Sequence, residues 1–325
     1  MMFGTAPRFW QRRGLRAALL YPFSLIWLLM AWLQRVTVTP FRAEMPVICI
    51  GNITSGGTGK TPLVAALAEA AHDRGWRPVI LTRGHGGSVA GPMLVSPDTT
   101  AATAGDEAIM LRRICPVVVS RDRAAGAALI TAEGLGDLII MDDGMQNPGL
   151  IKDRLVMVFN GRSGLANGLI IPAGPLRESL KAGLQRADAV AITGADETGL
   201  TRMISRIDAS MPVAEIERAP EPADITAITG KPVLAFAGIG DNEGFFEMLS
   251  AAGVNLVETR GFADHHDYDA EDIAALTAAA AAKNAVLVTT AKDEARLGAA
   301  MTDIMAVRLD TRLPISLLDR ILPRR

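Results

Sequence analysis

Lys60 and Thr61 close the glycine-rich run Thr54-Ser55-Gly56-Gly57-Thr58-Gly59, and an apolar β-type segment, 46–50, leads into it. Glycine lets backbone N–H groups crowd onto phosphate oxygens without interference from a Cβ. A lysine just past such a turn reaches the outer phosphates, and the neighbouring hydroxyl suits a magnesium ion. The Ala/Leu-rich helical pattern over 62–73 aims the positive end of its dipole at the same anions. Thr54 stands where the strict P-loop spacing has glycine; the chain fits the Gly-Gly-x-Gly-Lys-Thr variant instead. Residues 54–61 therefore read as a nucleoside-triphosphate site.

Carboxylates supply the other half of such chemistry. The apolar run 138–141 ends in Asp142 and Asp143. At the carboxyl end of a strand in an open α/β sheet they would sit beside the bound ligand and hold magnesium, directly or through water. Asp143-Gly144 also fits a strand-ending turn. Asp106 and Glu107 open a helical pattern after Gly105. There they either complement the helix dipole or act as a base and a metal contact.

Three further runs bear on chemistry. Phe262-Ala-Asp-His-His-Asp-Tyr268 holds two of the four histidines, but no third His or Cys stands nearby to complete a zinc site. A histidine that orients a carboxylate base fits better. Thr290-Ala-Lys-Asp293 has the composition of a guanine-reading motif in the wrong order. Lys292 and Asp293 are read as nucleotide contacts or as a solvated helix start. Gly238-Ile-Gly240 lacks the third glycine of a dinucleotide fingerprint and reads as a tight turn from strand to helix.

These groups need a scaffold. Strands are predicted at 78–82, 116–120, 138–141, 155–159 and 189–193, with helical patterns at 62–73 and 107–113 between them. Near-continuous Val/Ile/Leu strands alternating with helices predict an α/β fold, a mostly parallel sheet covered on both faces. Four prolines cluster in 212–232, which reads as a linker. The alternation then restarts with a strand at 233–237, helices at 242–252 and 270–283, and a strand at 285–290, a smaller α/β lobe. The expected domains are 1–42, 43–213 and 214–325.

Net charge is −2 over 325 residues, so nothing in the global charge points to nucleic acid. Two cysteines form neither a metal motif nor a disulfide framework, which suits a reducing compartment. Charge is uneven, however. Arg8, Arg12, Arg13, Arg16, Arg35 and Arg42 precede the first acidic residue, Glu44, and flank the uncharged run 17–33 with Trp27 and Trp32. Seventeen helical residues span about 25 Å, short of a ~30 Å hydrocarbon core. An interfacial helix fits better than a spanning one, with a buried helix the remaining option. Pro22 suits the first turn of that helix.

Taken together, the motifs resemble those of the tetraacyldisaccharide 4′-kinase family of lipid A biosynthesis. The resemblance runs from the N-terminal helix to about Arg296. It is carried by Gly51-Asn52, the loop to Pro62, Thr82-Arg83-Gly84, Gly105-Asp106-Glu107, Asp142-Asp143-Gly144 with Gln146, the run from Pro172 to Glu178, Asp264-His265 and Lys292-Asp293. It departs at His85, Met145, Asn147 and Ala291. The resemblance implies a P-loop kinase using ATP and Mg²⁺, with a lipid acceptor, tetraacyldisaccharide 1-phosphate. It places the work at the cytoplasmic face of the bacterial inner membrane, with no obligate protein partner. It implies Asp106 as the base, His265 orienting it, Lys60 on the phosphates, and Thr61, Asp142, Asp143 and Glu107 around the metal. Arg177, Asn52 and Gln146 fall on the substrate side. The reading from residues alone also allows a membrane-anchored P-loop switch or partitioning ATPase, or a soluble small-molecule kinase.

Overall fold

Along β1 (Val47–Gly51) the side chains of Ile48 and Ile50 enter one core, and those of Val47 and Cys49 enter another. Successive side chains of a strand point to opposite faces, so a strand buried on both faces must be apolar throughout. The same holds for β2 (Pro78–Thr82) and β5 (Leu138–Asp142), all of whose residues are buried. The structure, a computed structural model, describes residues 7–264, 266–297 and 303–324. The described residues divide into two compact units, 7–217 with 312–324, and 218–311.

The larger unit carries an eight-stranded sheet. Its remaining strands are β3 (Met93–Leu94), β4 (Val117–Val119), β6 (Arg154–Asn160), β7 (Ala189–Thr193) and β8 (Val213–Ile216). The order is β3-β4-β2-β5-β1-β6-β7-β8, parallel except for the edge strand β3. β1 is central, between β5 and β6, and Ile50 stands opposite Asp142. The loop after β1 and the carboxylates after β5 thus emerge side by side, where ligands bind in such sheets.

The smaller unit has its own parallel sheet, ordered β11-β10-β12-β13, from β10 (Pro232–Ala237), β11 (Asn255–Gly261), β12 (Val286–Thr290) and β13 (Ile304–Val307). β9 (Arg218–Pro220) and β14 (Leu309–Thr311) form a separate antiparallel pair.

Three expectations change. The expected linker at 214–231 is structured: it holds most of β8, all of β9 and the helix Pro222–Ile228, whose first position suits proline. The last residues leave the smaller lobe. Helix Ile315–Ile321 packs on β6 and β7, and Leu317, Leu318 and Ile321 join the larger unit's core. Arg320 Nε donates to Asp188 O at 2.8 Å. Ile321→Ala should therefore cost the larger unit about 2–5 kcal/mol in a denaturant titration; a loss under 1 kcal/mol would contradict this packing.

The N-terminal helix is the third. It runs Leu15–Thr37, 23 residues or about 35 Å, because Arg16 and the residues from Gln34 onward are helical too. Pro22 lies inside it rather than in its first turn. The helix is long and apolar enough to cross a membrane. Only Ala17 and Ser24 are buried, so it is no core helix; Leu15, Leu19, Phe23, Ile26, Met30 and Trp32 are exposed.

Candidate active site

The P-loop is stapled from beneath. Asn52 is fully buried, and its Nδ2 donates to Thr54 O at 2.7 Å and to Thr58 Oγ1 at 3.2 Å. Thr193 Oγ1, at the end of β7, donates to Thr58 O at 3.0 Å. Gly59 has φ of +78°, a left-handed turn that launches the helix Lys60–Asp73 with Lys60 and Thr61 in its first turn. On the other side the loop is held by backbone bonds, from Ser55 N to Pro175 O at 2.8 Å and from Arg177 N to Ile53 O at 2.7 Å.

The two aspartates differ. Asp143 N donates to Ile50 O at 3.0 Å, which locks the end of β5 to the end of β1. Asp143 faces cations: Lys60 Nζ lies 3.8 Å from Oδ1, and Arg177 Nη1 donates to Oδ1 at 3.1 Å and to Oδ2 at 3.3 Å. Burial works to raise its carboxyl, but Lys60 and Arg177 outweigh burial and hold it below the usual range. Asp142 is buried, and its Oδ1 has no hydrogen-bond partner among the described residues. Burial, with Glu107 adding like charge, pushes the Asp142 carboxyl up to about 7.

A model of the tetraacyldisaccharide-1-P 4′-kinase family matches residues 16–324. The tetraacyldisaccharide 4′-kinase of Gluconacetobacter diazotrophicus is 43% identical over 323 residues, 97% of each chain. That of a Bradyrhizobium species is 44% identical over 293 residues, 90% of this chain and 84% of its own. The chain belongs to this family. The ATP complex of LpxK from Aquifex aeolicus superposes with a TM-score of 0.74 at 26% identity, covering 95% of this chain and 98% of that one.

The residues of this family member fit a magnesium ion. A buried, unpaired carboxylate oxygen on Asp142 is the acceptor a hard cation needs, and the Thr61 hydroxyl stands in the usual P-loop position for one. No cluster of three His, Cys, Asp or Glu suited to a metal occurs among the described residues. Magnesium in phosphate sites keeps waters and phosphate oxygens and needs few protein ligands, so two or three suffice.

Other expected site residues land differently. Asn52 is buried and spends its amide nitrogen inside the P-loop, while its Oδ1 has no hydrogen-bond partner among the described residues. Arg177 pairs with Asp143 and Gln146, not with its neighbour Glu178. Asp293 is neither solvated nor available to a nucleotide. It is fully buried in the smaller unit, where Thr290 Oγ1 at 2.6 Å, Tyr268 Oη at 3.0 Å and Arg296 Nη1 at 2.9 Å occupy its oxygens. Gly238-Ile-Gly240 is the turn from β10 to the helix Asn242–Ala251. His265 lies outside the described residues; His266 bonds Asp272 through Nε2 at 2.7 Å and stacks on Phe262.

Sequence patterns gave no role to Arg123 or Glu178. Arg123 is buried, donating to Ser120 O and, at 3.2 Å, to Asp142 O, so it fixes the backbone that carries the unpaired carboxylate. Its one signal was a charge in an otherwise apolar helix, Arg123–Ala132.

Proposed function

We propose that the protein transfers the γ-phosphoryl group of ATP to the 4′-hydroxyl of tetraacyldisaccharide 1-phosphate, at the cytoplasmic face of a bacterial inner membrane. The observation that carries this reading is the pairing at two adjacent strand ends. A glycine-rich loop with Lys60 follows β1, and Asp142, whose buried Oδ1 has no hydrogen-bond partner among the described residues, ends β5. In-line transfer to an alcohol needs positioned phosphates, neutralised charge and a proton acceptor.

Lys60 and the amides of 54–61 hold the phosphates, and the 3.8 Å approach of Asp143 keeps the ammonium aimed before nucleotide arrives. Thr61 and Asp142, with Glu107, are the residues that would hold magnesium. When bound, that ion supplies charge neutralisation across the outer phosphates. Asp106, in the first turn of the helix Asp106–Leu111, takes the 4′-hydroxyl proton. Arg177 offers its remaining donors to a substrate or nucleotide phosphate. The exposed apolar helix Leu15–Thr37, with arginines at both ends, seats the enzyme at the lipid surface from which a four-chain acceptor does not depart.

The test is transfer of label from ATP to tetraacyldisaccharide 1-phosphate by detergent-solubilised protein. Lys60→Ala should lower transfer by about 10²–10³-fold. ATP hydrolysis without labelled lipid would sink the kinase reading and favour a P-loop switch.

A further inference from the structure

The segment that carries Arg177 is held from two sides. Toward the P-loop it makes the backbone bonds to Ser55 and Ile53, and Leu176 forms an antiparallel bridge with Thr54. Toward the N-terminal helix it accepts bonds from side chains. Ser24 Oγ donates to Ile170 O at 2.8 Å, and Trp27 Nε1 donates to Arg177 O at 3.0 Å. Near the other end of the helix, Arg35 Nη2 donates to Glu178 Oε2 at 3.0 Å.

Glu178 is only 3% exposed. Its Oε2 receives Arg35 and Arg186, and its Oε1 receives Gln146 Nε2 at 3.0 Å. The other end of that amide, Gln146 Oε1, accepts from Arg177 Nη1 at 3.1 Å. Arg177 in turn holds Asp143, which faces Lys60. Six side chains, Arg35, Glu178, Gln146, Arg177, Asp143 and Lys60, thus form one polar path from the exposed helix to the P-loop lysine. Gln146 gives the path direction. Its nitrogen must face the carboxylate and its oxygen the guanidinium, so only one amide orientation satisfies both neighbours. A buried carboxylate that loses one of its two arginines turns toward the other, which strains the Gln146 amide, whose nitrogen also donates to Asn52 O at 2.9 Å.

We infer that the N-terminal helix sets the position of the phosphate-binding side chains through Glu178 and Gln146, so that seating of the helix tunes the affinity for nucleotide. Arg35 and Glu178 are positioning residues: they act through Gln146, Arg177 and Asp143. This rests on the nucleotide-binding half of the proposed function and not on the lipid acceptor.

The experiment uses full-length protein in detergent and measures ATP affinity by displacement of a fluorescent ATP analogue. The variants are Arg35→Met, which keeps the aliphatic stem, Gln146→Met, and the two combined. Arg35→Met should weaken ATP binding about ten-fold, within the range of coupling between sites. The double variant should be no worse than Gln146→Met alone, because the path is already cut. Arg35→Lys should regain part of the loss. If the Met variant does not fold, Arg35→Lys replaces it in the same cycle. Losses that multiply, or a lowered melting temperature with unchanged ATP affinity, would overturn the inference. Because affinity is read without lipid, a protein that binds ATP yet labels no lipid sinks the kinase reading alone.

Discussion

Asp142→Asn is expected to lower phosphoryl transfer by about a thousand-fold while making the metal-free protein more heat-resistant above neutral pH. The first half follows from geometry. Asp142 ends β5 beside the P-loop, and its Oδ1 is buried without a partner among the described residues. An amide at that position keeps the volume but loses the charge that a hard cation needs. The second half follows from proton linkage. The ordinary carboxyl value is 3.8, and burial with Glu107 pushes it up to about 7 in the folded chain. The folded state therefore binds this proton more tightly than the unfolded state, and stability falls as pH rises through that interval. Below 3.8 both states are protonated and the cost is absent; above about 7 it is complete. Removing an unmatched buried charge should return roughly 1–3 kcal/mol. Thermal melts of metal-free wild type and variant at pH 8 and pH 5 check this. The variant should melt higher at pH 8, with the gap shrinking at pH 5. A gap that widened at pH 5 would refute the assignment of Asp142 as the strained, charge-bearing group.

Such a site keeps a destabilising carboxylate where function needs it, and the same logic separates what the sequence discloses from what it hides. Strands buried on both faces betray themselves as continuous apolar runs, so β2 and β7 fall where the pattern places them, at Pro78–Thr82 and Ala189–Thr193. The P-loop and the aspartates after β5 are legible because local spacing alone defines them. Long-range pairing has no such signature. Glu178 meets Arg35 across 143 positions of chain, and nothing near either residue specifies the other. Asp293 reads as a nucleotide contact or a solvated helix start, since the groups that bury it, Gly238 and Tyr268, lie 55 and 25 positions away. The helix Ile315–Ile321 has seven residues, about two turns, and its burial against β6 and β7 is a tertiary fact. Prolines at 220 and 222 suggest a linker; one instead ends a short strand and the other starts a helix.

Asp106→Asn should lower kcat by about 10²–10⁴-fold and leave ATP affinity within a few-fold of wild type, the signature of a group used only in the transition state. Asp106 is placed by its neighbour. Gly105 has φ of +90°, and a Cβ there would lie 2.3 Å from His85 O, so the backbone of the His85 loop sets where the helix Asp106–Leu111 begins. That helix start is only as well positioned as this contact allows. Gly105→Ala should accordingly lower kcat although it alters no reacting group, because the added methyl forces the two segments apart. Pre-steady-state measurement of the transfer step, with ATP binding read separately, distinguishes chemistry from binding. Should Asp106→Asn weaken ATP binding in proportion to its loss of rate, Asp106 would be a nucleotide contact and the base would have to be sought elsewhere.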